Sequence, residues 1–156
     1  MPKIDIAKAV VRTKGLYPQP YNHVGDGREK TALGNVAGLT QFGVNLTRLK
    51  PGAASALRHW HENEDEFVYV LEGEIALIED SGETILKPGD AAGFKAGVSN
   101  GHHLVNKSNA DAVYLEIGTR ATTERTSQPS GRRRRSASSS QRSGVATVAA
   151  GFARGE

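Results

Sequence analysis

Between Gln41 and Thr119 the chain is a train of short strand-like runs cut by turn residues, and this limits the fold more than any other feature. The runs are FGVNLTRL, ALRHWHE, EFVYVLE, EIALIED, ETILK, AAGF, HHLVNKS and AVYLEIG. Between them stand Pro51-Gly52, Gly73, Ser81-Gly82, Pro88-Gly89-Asp90, Ala96-Gly97 and Asn109. Seven or eight such strands with turns this frequent predict an antiparallel sandwich or barrel. No segment in this region carries a capped 3.6-residue apolar repeat, so helices are not expected there.

The flanks differ in composition. Residues 1–40 are rich in Gly, Pro and Asn and show little periodicity; they read as an arm or set of loops packing on the body, with one short strand near Ile4–Val11. Residues 41–119 form the strand-rich body. Residues 120–156 form a Ser-, Arg-, Ala- and Gly-rich tail whose one aromatic residue is Phe152. Such a segment buries too little apolar surface to offset its ordering entropy, which predicts disorder.

At 156 residues the chain suits one domain with a real core. It has no Cys, which excludes disulfides, thiol catalysis and thiolate-bound metals. No apolar run reaches membrane-spanning length, and the N-terminus has no apolar stretch followed by a cleavage site, so a cytoplasmic protein is expected. The net charge of +3 conceals an asymmetry. Met1–Thr119 holds 12 Lys and Arg against 15 Asp and Glu, a balance of −3, whereas Arg120–Glu156 holds 8 against 2, a balance of +6. The body therefore lacks a nucleic-acid-binding stripe, and Arg132–Arg135 reads as a solvated run.

The chemistry concentrates in HWHENEDE. Residues i and i+2 of a strand share a face, so His59 and His61 point together with Trp60 opposite. The linker Glu62–Asp65 is short enough for a turn that returns Glu66 beside the histidines. His102 lies on a later strand, with Asn106 four residues on and facing the same way. Imidazoles and a carboxylate suit one divalent ion of borderline or hard character (Zn, Mn, Fe or Ni) and leave positions for water or substrate.

These residues resemble the first conserved motif of the cupin superfamily, G-x5-H-x-H-x3,4-E-x6-G. It reads here as Gly52, His59, His61, Glu66 and Gly73, with one extra residue between Gly52 and His59. The second motif, G-x5-P-x-G-x2-H-x3-N, maps onto Gly89, Lys95, Gly97, His102 and Asn106. Lys95 stands in place of the proline, and four residues rather than two separate Gly97 from His102. His102 keeps the spacing to Asn106, which favours it over His103; Asp65 is the alternative carboxylate to Glu66. The resemblance covers about Gln41–Thr119. It implies an all-β double-stranded β-helix (jelly-roll) barrel with the metal ligands His59, His61, Glu66 and His102 at its mouth, and a homodimer.

Phe67, Tyr69 and Leu71 make the second face of their strand apolar too, which predicts cover by a second sheet or a second subunit, or else by the N-terminal arm. Asn106 reads as a turn residue or a hydrogen-bonding support to a ligand. Tyr114 and Glu116 share one face of the last strand and are candidates to line the pocket. His23 reads as a loop histidine, and Arg48 and Arg58 as solvated surface.

Three functional classes follow. The leading one is a metal-dependent enzyme on a small molecule, resembling the sugar-phosphate-isomerase-like cupins, with an iron-dependent dioxygenase as its variant. The second is a metal-containing cupin that binds or senses a small molecule without turnover. A nucleic-acid-associated protein acting through the tail ranks last. No residue is assigned as catalytic at this level, because fold resemblance does not fix a reaction.

Overall fold

The computed structural model describes residues 3–15 and 17–122, and the backbone of residues 126–127. The rest of the predicted tail, including Arg132–Arg135, lies outside the described residues.

Eleven strands pair antiparallel within the described residues. They are β1 (Val11–Arg12), β2 (Arg28–Ala32), β3 (Phe42–Leu49), β4 (Trp60–His61), β5 (Glu66–Glu72), β6 (Ile75–Glu79), β7 (Gly82–Leu86), β8 (Ala91–Phe94), β9 (His103–Val105), β10 (Ala112–Thr119) and β11 (Thr126–Ser127). The main sheet runs β1-β2-β3-β10-β5-β8, the second sheet runs β7-β6-β9, and β4 pairs with β11. Each strand predicted between residues 41 and 119 has a counterpart, although ALRHWHE keeps only Trp60–His61 as regular strand. Among the described residues the helical elements are the single α-turn α1 (Leu33–Val36) and two 3₁₀ turns, Ile6–Lys8 and Tyr21–His23. None of the described helices is long and apolar enough to cross a membrane.

Alternation in the sequence dictates which face each strand buries. On β5, Val68 and Val70 are buried while Phe67, Tyr69 and Leu71 are exposed. On β10, Tyr114 stands between Thr47 and Val70, and all three are buried. Leu49, Ile75, Leu77, Leu86, Leu104 and Ala112 complete the core between the two sheets. The pairing of β10 with β5 slips by one residue at Val113/Tyr114. An extra residue on one strand of a pair bends it locally, as sheet closure requires.

Gly73, at the β5–β6 turn, has a backbone requirement that the sequence pattern signals. Its φ is +73°, and a Cβ there would stand 2.5 Å from the Asp111 carbonyl oxygen and 2.8 Å from Ala112 Cα. Only glycine allows both this left-handed conformation and so close an approach.

The arm departs from expectation in two places. The strand predicted near Ile4–Val11 is a 3₁₀ turn over Ile6–Lys8, and only Val11–Arg12 is extended. The Asp5 carboxylate accepts a hydrogen bond from the Ala7 amide and competes locally with strand pairing. Arg28–Ala32, by contrast, joins the main sheet against β3 with five paired residues. The arm is thus continuous with the barrel wall.

Candidate metal centre

Strand pairing assembles the polar cluster from three distant segments. His59 and His102 face each other in an isolated antiparallel bridge, with His59 N–H donating to His102 O at 3.1 Å and His102 N–H to His59 O at 2.8 Å. Their ring centroids are 5.5 Å apart, and that of His61 is 4.9 Å from His59. Glu66, the first residue of β5, pairs with Phe94 of β8 and with Gly118 of β10. Its Oε2 lies 3.3 Å from His61 Nε2 and 3.2 Å from His102 Nε2.

His59, His61 and Glu66 each offer a ligand atom within 4.8 Å of the others. A divalent ion bonded at about 2.0–2.2 Å places neighbouring donors about 3 Å apart and opposed donors about 4.3 Å apart, so this spacing suits one ion. His102 joins the cluster through Glu66 but falls outside that mutual set. The donor chemistry, neutral imidazole and carboxylate, fits a borderline or hard divalent metal.

Hydrogen bonds orient the rings. His59 Nδ1–H donates to the Leu57 carbonyl at 2.7 Å, which leaves Nε2 as the lone-pair nitrogen. His102 Nδ1 faces the Asn100 carbonyl at 3.5 Å. Burial, the largest cause, lowers the pKa of His59 below its ordinary value, and neighbouring His61 and His102 act in the same direction, so the neutral, metal-binding form is favoured. Burial alone would raise Glu66, but its hydrogen bonds to His102 and His61 more than offset this and hold it well below the ordinary carboxylate range. A carboxylate in this setting stays ionised as a ligand or ion-pair partner.

The other predicted residues separate by role. His103 turns away, its Nδ1–H donating to the Ala56 carbonyl at 3.1 Å. Asp65 caps a turn, its Oδ1 accepting from the Ala96 amide at 2.8 Å. Asn106 is fully buried, and its side chain bonds Leu49 O, Ala110 O and Ser108, locking the β9–β10 connection rather than contacting the histidines. Arg48 pairs with Asp111, and Arg58 with Asp80 and the Gly101 carbonyl. His23 bonds the Pro20 carbonyl. Tyr114 and Glu116 face the interior, and Glu116 forms an ion pair with Lys30 of β2. Sequence reasoning missed Phe94 and Lys30. Phe94 stacks on His102 with centroids 3.6 Å apart and planes 3° apart.

A cleft of about 190 Å³ adjoins the cluster, with His61, His102, Phe94, Trp60, Lys95 and Asn100 among the residues that line it. Trp60 thus borders this cleft. Lys95 is exposed at the cleft and has no ion pair among the described residues.

Comparison with known proteins agrees with this architecture. The cupin-domain family profile matches residues 45–118. A sugar phosphate isomerase from a cupin superfamily, from Silicibacter pomeroyi DSS-3, is 49% identical, with 80% of each chain covered and a TM-score of 0.78. A proposed sugar phosphate isomerase from Acidithiobacillus ferrooxidans is 32% identical over 65% of each chain, with a TM-score of 0.63. The polyketide cyclase RemF from Streptomyces resistomycificus is 20% identical, covering 76% of this chain and 79% of that one at a TM-score of 0.61, and shares the fold alone. No curated protein matches the chain. The strand order, the histidine–glutamate cluster and the 49% identity together make this chain a member of the cupin superfamily.

Proposed function

We propose that this protein is a metal-dependent enzyme that isomerises a small phosphorylated sugar. The observation that carries the reading is the convergence of His59, His61 and Glu66, with His102 bonded to Glu66, beside the cleft. The name of the 49% identical Silicibacter protein supports the substrate class. A divalent ion held by these four residues would supply Lewis-acid polarisation of a substrate carbonyl. Lys95, exposed at the cleft, offers an ammonium group to a phosphate. The stacked Phe94 and the Leu57 carbonyl keep two of the imidazoles in fixed orientation.

The working unit we propose is a homodimer. Phe67, Tyr69 and Leu71 are about two-fifths exposed on the outer face of β5, and Phe42 stands exposed on β3 of the same sheet. Among the described residues this apolar outer face stays exposed, and a second copy is the cover we assign to it.

The test is metal analysis of tag-free protein followed by NMR of aldose and ketose phosphates in D2O. About one divalent ion per chain, with deuterium entering the carbon next to the carbonyl, is the expected result. Metal-loaded protein that neither exchanges nor converts any member of the panel would overturn the isomerase reading, and iron as the resident metal would redirect it to oxygen chemistry.

A further inference from the structure

The cleft beside the histidines is lined by a carboxylate that the metal cluster does not use. Glu79 is the last residue of β6, and strand parity puts it on the same face as Ile75 and Leu77, both in the core. It therefore faces inward at the end of its strand, and it lines the cleft together with His61, His102 and Trp60. β6 pairs with β9 as far as Ile78 and His103. Glu79 stands one step further along, level with His102.

One neighbour fixes this carboxylate. Asn100 Nδ2 donates to Glu79 Oε1 at 2.8 Å, and the Asp80 amide donates to Asn100 Oδ1 at 3.0 Å. The Asn100 carbonyl faces His102 Nδ1 at 3.5 Å, so a single residue links Glu79 to a ring of the metal cluster. Arg58 ties down the same rim, pairing with Asp80 and donating to the Gly101 carbonyl at 2.9 Å. The bond from Asn100 is the only one Glu79 makes among the described residues. An ionised carboxylate has about four acceptor positions, so most of those on Glu79 are left to the contents of the cleft.

We propose that Glu79 is the specificity-determining residue of the cleft, accepting hydrogen bonds from two neighbouring hydroxyls of the sugar, and that Asn100 is its positioning residue; the substrate class rests on the isomerase reading. Charge is separated between the two sheets. Lys95 follows β8 of the main sheet, whereas Glu79 closes β6 of the second. A ligand suited to both carries an anionic group at one end and hydroxyl donors at the other. Trp60 offers an indole to the C–H face between them. An ionised carboxylate only accepts, and its bonds from hydroxyls are charge-assisted. A ligand lacking one of those hydroxyls leaves the carboxylate unpaired, which costs more than the bond itself is worth. Lys95 alone would hold any phosphate. Glu79 adds the demand for hydroxyls and repels a ligand that is anionic at both ends.

The experiment titrates the full, metal-loaded chain calorimetrically with ribose 5-phosphate, glucose 6-phosphate, their 2-deoxy and 3-deoxy analogues, and inorganic phosphate. Wild type, Glu79→Gln, Glu79→Asp and Asn100→Ala are compared, with metal content measured and sugar conversion followed by NMR. Wild type is expected to bind at least one deoxy analogue about 10-fold or more weakly than its parent sugar. Glu79→Gln still accepts from Asn100, and is expected to cut that preference to about threefold or less while metal content and phosphate affinity hold. Asn100→Ala is expected to reduce the preference in the same direction, and an undiminished preference there removes its positioning role. An undiminished preference in Glu79→Gln overturns the proposal. So does an equal loss of affinity for sugars and inorganic phosphate, or a loss of metal. If Glu79→Gln does not fold, an undiminished preference in Glu79→Asp overturns it instead. A wild type that converts sugars but binds the deoxy analogues equally well overturns the proposal and leaves the isomerase reading standing. A Glu79-dependent preference without any conversion does the reverse. A wild type that binds none of the sugars overturns both.

Discussion

The imidazole of His102 lies flat on the ring of Phe94, centroids 3.6 Å apart and planes 3° apart. Phe94 is also the register partner of Glu66, whose carboxylate reaches the Nε2 of that same imidazole. One side chain of β8 thus supports both a histidine and the strand that presents the glutamate. Removing it by Phe94→Ala is expected to cost about 2 kcal/mol, less than emptying a fully buried phenylalanine site. Metal affinity is expected to fall about 10-fold or more, because the ring that orients the imidazole is gone. Phe94→Leu should keep most of the stability and little of the orientation. Denaturant titration paired with metal titration separates the two effects, and unchanged metal affinity in Phe94→Ala would remove the support role.

The histidine pair on one strand face makes the second prediction. The double variant His59→Ala/His61→Ala, freed of any affinity tag, should carry no divalent ion where the wild type carries about one. Mass-spectrometric metal analysis after reconstitution decides it. Equal metal in the two proteins would place the ion elsewhere.

Acid should destabilise the protein through two groups of this cluster. Burial lowers His59 below 6.5, so the unfolded chain takes up that proton first and stability declines as pH falls through the region beneath 6.5. The hydrogen bonds from His102 and His61 depress Glu66, so its contribution is complete above the ordinary value of 4.5 and is lost as pH falls below it. Thermal unfolding of metal-free protein from pH 8 to pH 3 should show both stages, and Glu66→Gln should lose the lower one. A melting temperature that rises on acidification through pH 6 would contradict the assignment.

Gly73→Ala tests the β5–β6 turn. The φ of +73° and the 2.5 Å approach to the Asp111 carbonyl leave no room for a methyl group. Backbone strain alone costs about 1–2 kcal/mol, and relief of the clash adds to it. Urea unfolding should show a loss of more than about 2 kcal/mol. The same substitution at Gly52, where nothing lies within 4 Å of the added carbon, should cost less.

The outer face of β5 carries the prediction for assembly. Wild-type protein should elute and scatter as a dimer at micromolar concentration, and Phe67→Asp/Tyr69→Lys as a folded monomer. A monomeric wild type would refute the homodimer.

Much of the barrel was legible because period-2 alternation and turn chemistry are local properties. EFVYVLE is a strand from Glu66 to Glu72, and the turn at Gly73 needs the residue found there. The grouping of His59, His61 and Glu66 was legible for the same reason, since strand parity and a short turn determine it. REKTA was not, because Arg28–Ala32 has no apolar alternation and becomes a strand only through its pairing with β3.

The sequence by itself determined where strands and turns fall, that no thiol chemistry is available, and that two imidazoles and a carboxylate share a face. Tertiary structure alone decided that Phe94 lies against His102, that Lys30 reaches a glutamate 86 residues away, and that Asn106 locks a turn instead of supporting a metal ligand. The physical reason is that cross-strand contacts depend on sheet order and register, which arise from many weak pairings between distant segments. No local spacing encodes them.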